Sequence, residues 1–184
     1  MIKIVIPDSG PLISLSHANA LDLLFCFKSE VQLLITDIVE YEVTSERSRF
    51  PDAEKTFQFL SKHAGHIITE KTTFGEAALF RVKMDSDYQL PDDAGEISIA
   101  SFNINNSEPT IILFEDHWFM DESRFKSSTN RVSTSSFIKN IFDNNLISKK
   151  RYAEITVTLK SIQRSQLLFE SSEDWRNSLD SGPR

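Results

Sequence analysis

Acidic side chains stand where apolar and polar stretches meet at five points of this 184-residue chain: Asp8, Glu42, Asp93, Glu96 and Asp116. Carboxylate oxygens are hard donors, and several held together suit Mg²⁺ or Mn²⁺, which keep part of their water shell when bound. Like charges repel at short range, so a folded cluster of carboxylates implies a cation between them. One or two such ions polarise a phosphate and lower the pKa of an attacking water, which is the chemistry of phosphodiester hydrolysis. Each acid taken singly has a plainer reading. Asp8 stands where a helix N-cap belongs, Glu42 is placed like a solvated helix residue, Asp93 and Glu96 have the spacing of a capping box, and Asp116 follows a strand. Only their conjunction points to metal chemistry.

For acids this far apart to meet, the fold must bring them to one edge. Ile2 to Ile6 is a β-branched run broken by Pro7, the pattern of a buried parallel strand. Asp8-Ser9-Gly10-Pro11 reads as a helix start, with Asp8 or Ser9 capping and Pro11 in the first turn. A short helix is expected over 20–27, a second strand over 31–35, and a helix to about Arg47 capped by Thr36 or Asp37. Pro51 opens a further helix, His66 to Thr69 is a short strand, and 75–84 is helical by composition. Pro91-Asp92-Asp93 starts a helix reaching about Asn103. Thr110 to Phe114 is the third strong strand and ends in Glu115-Asp116. The polar stretch 121–131 reads as a loop or weakly helical lid, and 133–144 and 148–166 as helices. Strands alternating with helices predict an α/β fold, a parallel sheet with helices on both faces. Ligands of such sheets bind beyond the carboxyl ends of the strands, where Asp8 and Asp116 should both lie.

The composition bounds the rest. An apolar share of 40% with 14 Phe residues provides for one domain with a real core. The single Cys26, in the apolar run 21–27, excludes an internal disulfide and a cysteine zinc site, and is expected to be a small buried apolar residue. The apolar start is too short for a signal peptide, and no stretch approaches the roughly 18 apolar residues of a membrane span; a cytoplasmic protein without membrane contact is expected. The net charge of −7 is uneven: residues 1–116 carry 9 Lys and Arg against 19 Asp and Glu, residues 117–184 carry 11 against 8. An acidic site facing a basic phosphate-binding rim fits this asymmetry, and so does a plain solvated surface. His17, His63, His66 and His117 lack zinc spacing, and neither a nucleophile elbow nor a glycine-rich phosphate loop occurs. Trp118 and Phe119 have the chemistry to stack on an unpaired base, with core packing as the commoner role. Lys149-Lys150-Arg151 reads as a phosphate contact or as a solvated face.

Four stretches, in order, carry a resemblance: Ile4-Val5-Ile6-Pro7-Asp8-Ser9-Gly10-Pro11-Leu12-Ile13, then Ile35 to Val43, then Asp93-Ala94-Gly95-Glu96-Ile97-Ser98-Ile99-Ala100, then Ile111-Ile112-Leu113-Phe114-Glu115-Asp116. Together they resemble the PIN-domain nucleases, most of all the VapC-like toxin branch. The resemblance implies a three-layer α/β/α sandwich with a central, mostly parallel sheet over residues 1–165, followed by a polar C-terminal tail, 166–184. It implies that Asp8, Glu42, Glu96 and Asp116 bind Mg²⁺ or Mn²⁺, with Asp93 a supporting or substitute ligand and Glu115 beside the last. Glu42 fits the family's V-x-x-E pattern from Val39, ahead of Glu40, and Ser9 matches a small hydroxyl that steadies a ligand or water. The implied activity is endoribonucleolytic cleavage of RNA, often as a toxin held by a small antitoxin, often in a homodimer. His117-Trp118-Phe119-Met120 departs from the family by its bulk after Asp116. That departure keeps open a catalytically degenerate PIN-fold binding or scaffold protein; a structure-specific DNA nuclease shares the acids and is the other alternative.

Overall fold

The β-branched run at the start becomes β1 (Lys3–Pro7), the central strand of a five-stranded parallel sheet. The computed structural model describes residues 3–26 and 31–162. On one side of β1 lie β2 (Val31–Thr36) and β3 (Ile67–Glu70); on the other lie β4 (Thr110–Phe114) and β5 (Thr129–Ser133). The order β3-β2-β1-β4-β5 means that the chain leaves β1 toward one edge and later returns to build the other. The gap between β1 and β4 is therefore the switch point at which open α/β sheets form their clefts. Register fixes what reaches it: Pro7 pairs with Leu113, and the Asp8 amide donates to the Leu113 carbonyl at 2.9 Å. Pro7 is the last residue of β1. Its pairing is with β4 alone, since the ladder to β2 ends at Val5, so the missing N–H interrupts nothing.

Among the described residues, seven α-helices connect and flank the strands: α1 (Ser9–His17), α2 (Asp37–Thr44), α3 (Pro51–Lys62), α4 (Thr73–Met84), α5 (Ala94–Asn105), α6 (Thr134–Asp143) and α7 (Lys149–Ser161). Thr36, Thr72, Ser133 and Ser148 cap α2, α4, α6 and α7 through their hydroxyls, and Pro51 starts α3. Two asparagines in the left-handed region, Asn19 and Asn145, end α1 and α6. In each case the next amide reaches back to the carbonyl five residues earlier, Ala20 to Leu15 and Leu146 to Ile141, closing the helix end. Ile6, Leu12, Leu15, Ile35, Ile112 and Leu113 form the sealed centre of the core, joined by Ile99 of α5 and Ile141 of α6. Among the described residues, no helix is long and apolar enough to cross a membrane.

Three expectations need correction. The stretch read as a loop or weakly helical lid over 121–131 is loop with a single 3₁₀ turn, Glu122–Arg124, only as far as 128; from Thr129 the chain becomes the edge strand β5. Its sequence, Thr-Asn-Arg-Val-Ser, lacks an apolar rhythm because its pairing comes from β4, and edge strands carry polar residues readily. The helix expected to run from Thr36 or Asp37 to Arg47 stops at Thr44. Cys26 is half-buried beside the core instead of sealed within it, and burial raises its thiol pKa. The domain boundary near 165 and the polar tail lie outside the described residues.

Candidate functional site

Asp8 is the first residue beyond β1, in the N-cap position of α1, and is 3% exposed. It makes no side-chain capping bond, and its Oδ1 is buried without a hydrogen-bond partner. Leaving a buried polar atom unmatched is costly, and for an ionised group more so. Burial drives the Asp8 pKa well above the usual carboxylate range. Glu96 and Glu42 push the same way, against a smaller pull from the amides of Ser9 and Gly10.

Glu42 reaches this point from α2. The Ser9 hydroxyl and the Gly95 amide both donate to its carboxylate; burial nevertheless outweighs them and raises its pKa. Ser9 thus connects two of the acids chosen from the sequence. The Gly95 side of the contact is tight: a Cβ there would stand 2.6 Å from Glu42 Oε2 and 3.2 Å from Cδ. A small residue at 95 is what lets α2 and α5 bring their carboxylates together. α5 is keyed in place by Ser98, whose buried hydroxyl meets the Thr36 hydroxyl at 2.6 Å and donates to the Gly95 carbonyl. The residue that caps α2 therefore also steadies the first turn of α5.

Gly95→Ala should separate site from fold. Alanine favours a helix over glycine by about 1 kcal/mol, so the melting temperature should stay within a few degrees of wild type. The displaced Glu42 should weaken any Mn²⁺-induced stabilisation at least tenfold in apparent affinity, read by thermal shift against metal concentration. Undiminished metal affinity would show that Glu42 has no part in the site.

Glu96 sits one residue further along α5, half-buried, with its pKa raised to about 7. Burial is the largest cause; the charges of Glu42, Asp116 and Asp93 add to it, and its own amide opposes it. Asp93 precedes α5 but forms no capping box with Glu96: its Oδ2 accepts the Trp118 indole N–H at 3.2 Å. Asp116 is exposed and accepts the Trp118 amide at 2.7 Å as the cap of a 3₁₀ turn, His117–Met120. It is an electrostatic neighbour of Glu96 at the rim, whereas Asp8 lies inside.

The acid beside Asp8 is Glu115. It is 5% exposed, takes the Ser14 hydroxyl of α1 at 2.9 Å, and lies against Gly10. A Cβ on Gly10 would meet Glu115 Cβ at 3.2 Å and Asp8 Oδ2 at 3.7 Å. The sequence signal for Glu115 is positional. Asp8 directly follows β1, and the residue that directly follows the adjacent strand β4 is Glu115, one before Asp116. Of the remaining candidates, Phe119 is fully buried among Phe114, Trp118 and Phe125, His117 is exposed, and Arg151 is paired in two bonds with Asp22.

An all-oxygen donor set and one unmatched buried carboxylate oxygen fit a hard divalent cation. Among the described residues, no three acids, histidines or cysteines are yet close enough together to hold one. The longer arms of Glu42 and Glu96 must turn toward Asp8 for one ion to touch three carboxylates. No family model matches the chain, and neither curated proteins nor solved structures offer a significant match.

Proposed function

We propose that this protein is a PIN-type, Mg²⁺- or Mn²⁺-dependent endoribonuclease with a three-layer α/β/α sandwich. The observation that carries the reading is the buried, unmatched Oδ1 of Asp8 at the β1–β4 switch point, with Glu42 and Glu96, whose own pKa values burial raises, near enough for their charges to raise that of Asp8. Such a group of acids is electrostatically incomplete without a cation. Bound Mg²⁺ or Mn²⁺ would supply a polarised phosphate and a nucleophilic water at neutral pH. In this reading Asp8, Glu42 and Glu96 hold the ion, and Ser9 orients Glu42. Asp93 and Asp116 deepen the negative field at the rim, and Glu115, steadied by Ser14, completes the inner wall. Toxin activity under a small antitoxin, a homodimeric state and a cytoplasmic location belong to the same proposal.

The test is incubation of end-labelled single-stranded RNA with purified protein in Mn²⁺, Mg²⁺ or EDTA. Metal-dependent internal cuts are expected. Cutting of flap or single-stranded DNA in their place would make it a DNA nuclease. Absence of cutting together with absence of metal binding would favour a scaffold, the reading to which the outward, capping posture of Asp116 lends some support. The inner position of Glu115 yields a further expectation: Glu115→Gln should lower cleavage at least tenfold more than Asp116→Asn, and the reverse order would return the fourth ligand to Asp116.

A further inference from the structure

A groove of about 530 Å³ runs along α5 away from the acids, within the range of small-ligand sites. Its α5 floor is Ile97, Ala100 and Ile104 with the polar Ser101 and Asn105, and its wall is Trp118 and Arg124. Ile97 adjoins Glu96, and the Trp118 indole is bonded to Asp93, so the groove opens directly beside the acidic cluster. Ile104 is eight residues beyond Glu96, about 12 Å along the helix.

Two flat groups set its chemistry. The Arg124 guanidinium lies over the Trp118 ring at 4.0 Å, and its Nε donates to Asp121 Oδ2 at 3.0 Å. Edge-on contacts with Phe119 and Phe125 hold the indole in place. A rigid aromatic–guanidinium pair above an aliphatic floor suits a planar, electron-rich heterocycle, since unpaired bases stack on aromatic rings and on guanidinium planes alike. Ile104, 57% exposed, is the one open aliphatic of the floor, too little for the apolar face of a partner helix but enough for one ring. Cations lie on the same side: Arg124 on the wall, and Lys126, whose amine donates to the Asn106 carbonyl next to Asn105. They complement a phosphate backbone running past the base.

We infer that this groove is a nucleobase subsite, holding an unpaired base of single-stranded RNA next to the phosphate that is cut. The inference rests on the ribonuclease reading. It goes beyond it in making recognition depend on a base as well as on phosphates, and in assigning that role to Trp118, Arg124 and Ile104.

Binding without cleavage tests it: fluorescence anisotropy of a fluorescein-labelled ten-nucleotide RNA in EDTA, against wild type, Arg124→Ala and Ile104→Glu. Both substitutions fall on side chains that reach solvent, and circular dichroism checks that the fold is kept. Each should weaken binding roughly 5- to 100-fold, the range expected for loss of one base-stacking contact. The same RNA with abasic residues, which keeps its phosphates, should lose affinity for wild type to a similar extent and should separate the variants from wild type much less than the intact RNA does, leaving only the effect of the changed charge. Equal binding of intact and abasic RNA, or undiminished binding by both variants, would overturn the subsite, as would absence of RNA binding. Base-dependent, Arg124-dependent binding by a protein that never cuts RNA would leave the subsite standing and remove the nuclease reading. Metal-dependent cutting indifferent to Arg124, Ile104 and the bases would do the opposite.

Discussion

Asp8→Asn should abolish the thermal stabilisation that Mn²⁺ gives the wild-type protein and lower RNA cleavage by on the order of a hundredfold or more, while leaving the metal-free fold intact. A metal that binds only the folded state at 100 times its Kd stabilises by about 2.7 kcal/mol. For a chain of this size that is a rise of roughly 5–10 °C in melting temperature. The substitution keeps the side chain's shape and removes its charge, and the charge is what the site contributes. Were Asp8 only a helix cap, its loss would show as lower stability without metal, typically about 1 kcal/mol for removal of a capping side chain. The geometry argues against that cost, because no side-chain capping bond forms at Asp8, burial outweighs the pull of the Ser9 and Gly10 amides on its carboxylate, and its Oδ1 has no hydrogen-bond partner. The metal-free variant should therefore melt at or above the wild-type temperature at pH 7.5. A variant that melts lower without metal, yet keeps the full rise with Mn²⁺, would make Asp8 a structural residue and remove the basis of the proposed activity.

How far these features can be read from the sequence depends on whether they are encoded locally. The runs ending at Ile6, Ile35 and Phe114 are apolar and β-branched because their strands lie inside the sheet, so all three are visible as strands. β5 is invisible for the opposite reason: as an edge strand its state is set by β4, not by its own residues. Asp8 is legible because a strand and a helix start meet at it, and Glu42 because it lies one helical turn past Val39. Asp93 is misleading. Its spacing to Glu96 matches a capping box, but Trp118, 25 positions away, takes the carboxylate that would have capped. The roles of Glu115 and Trp118 both depend on packing between distant elements, α1 on β4 in one case and the turn after β4 on α5 in the other. No periodicity within a segment carries that information.

The melting temperature of the protein in EDTA should fall as pH rises from 5 to 8, the reverse of what paired carboxylates ordinarily give. Glu96 has its folded pKa raised from 4.5 to about 7, and Asp8 and Glu42 are raised in the same direction. Between those two values the folded state binds more protons than the unfolded chain. Stability then decreases with pH, because its slope follows the protons bound in the unfolded state minus those bound in the native state. Below about pH 4.5 both states are protonated at Glu96 and the contribution is complete; it is lost as pH climbs through about 7. A drop on the order of 5 °C across the window is expected. Mn²⁺ at pH 8 should restore it, since a cation removes the repulsion that the protons were relieving. Glu96→Gln should make the EDTA curve shallower, with Asp8 and Glu42 supplying what slope remains, and by taking away one of the charges it should raise the metal-free melting temperature at pH 8 above that of wild type. A wild-type curve that is flat or climbs from pH 5 to 8, or a slope unchanged by Glu96→Gln, would mean that these carboxyls are not crowded against one another in the folded protein. The case for a cation among them would then be lost.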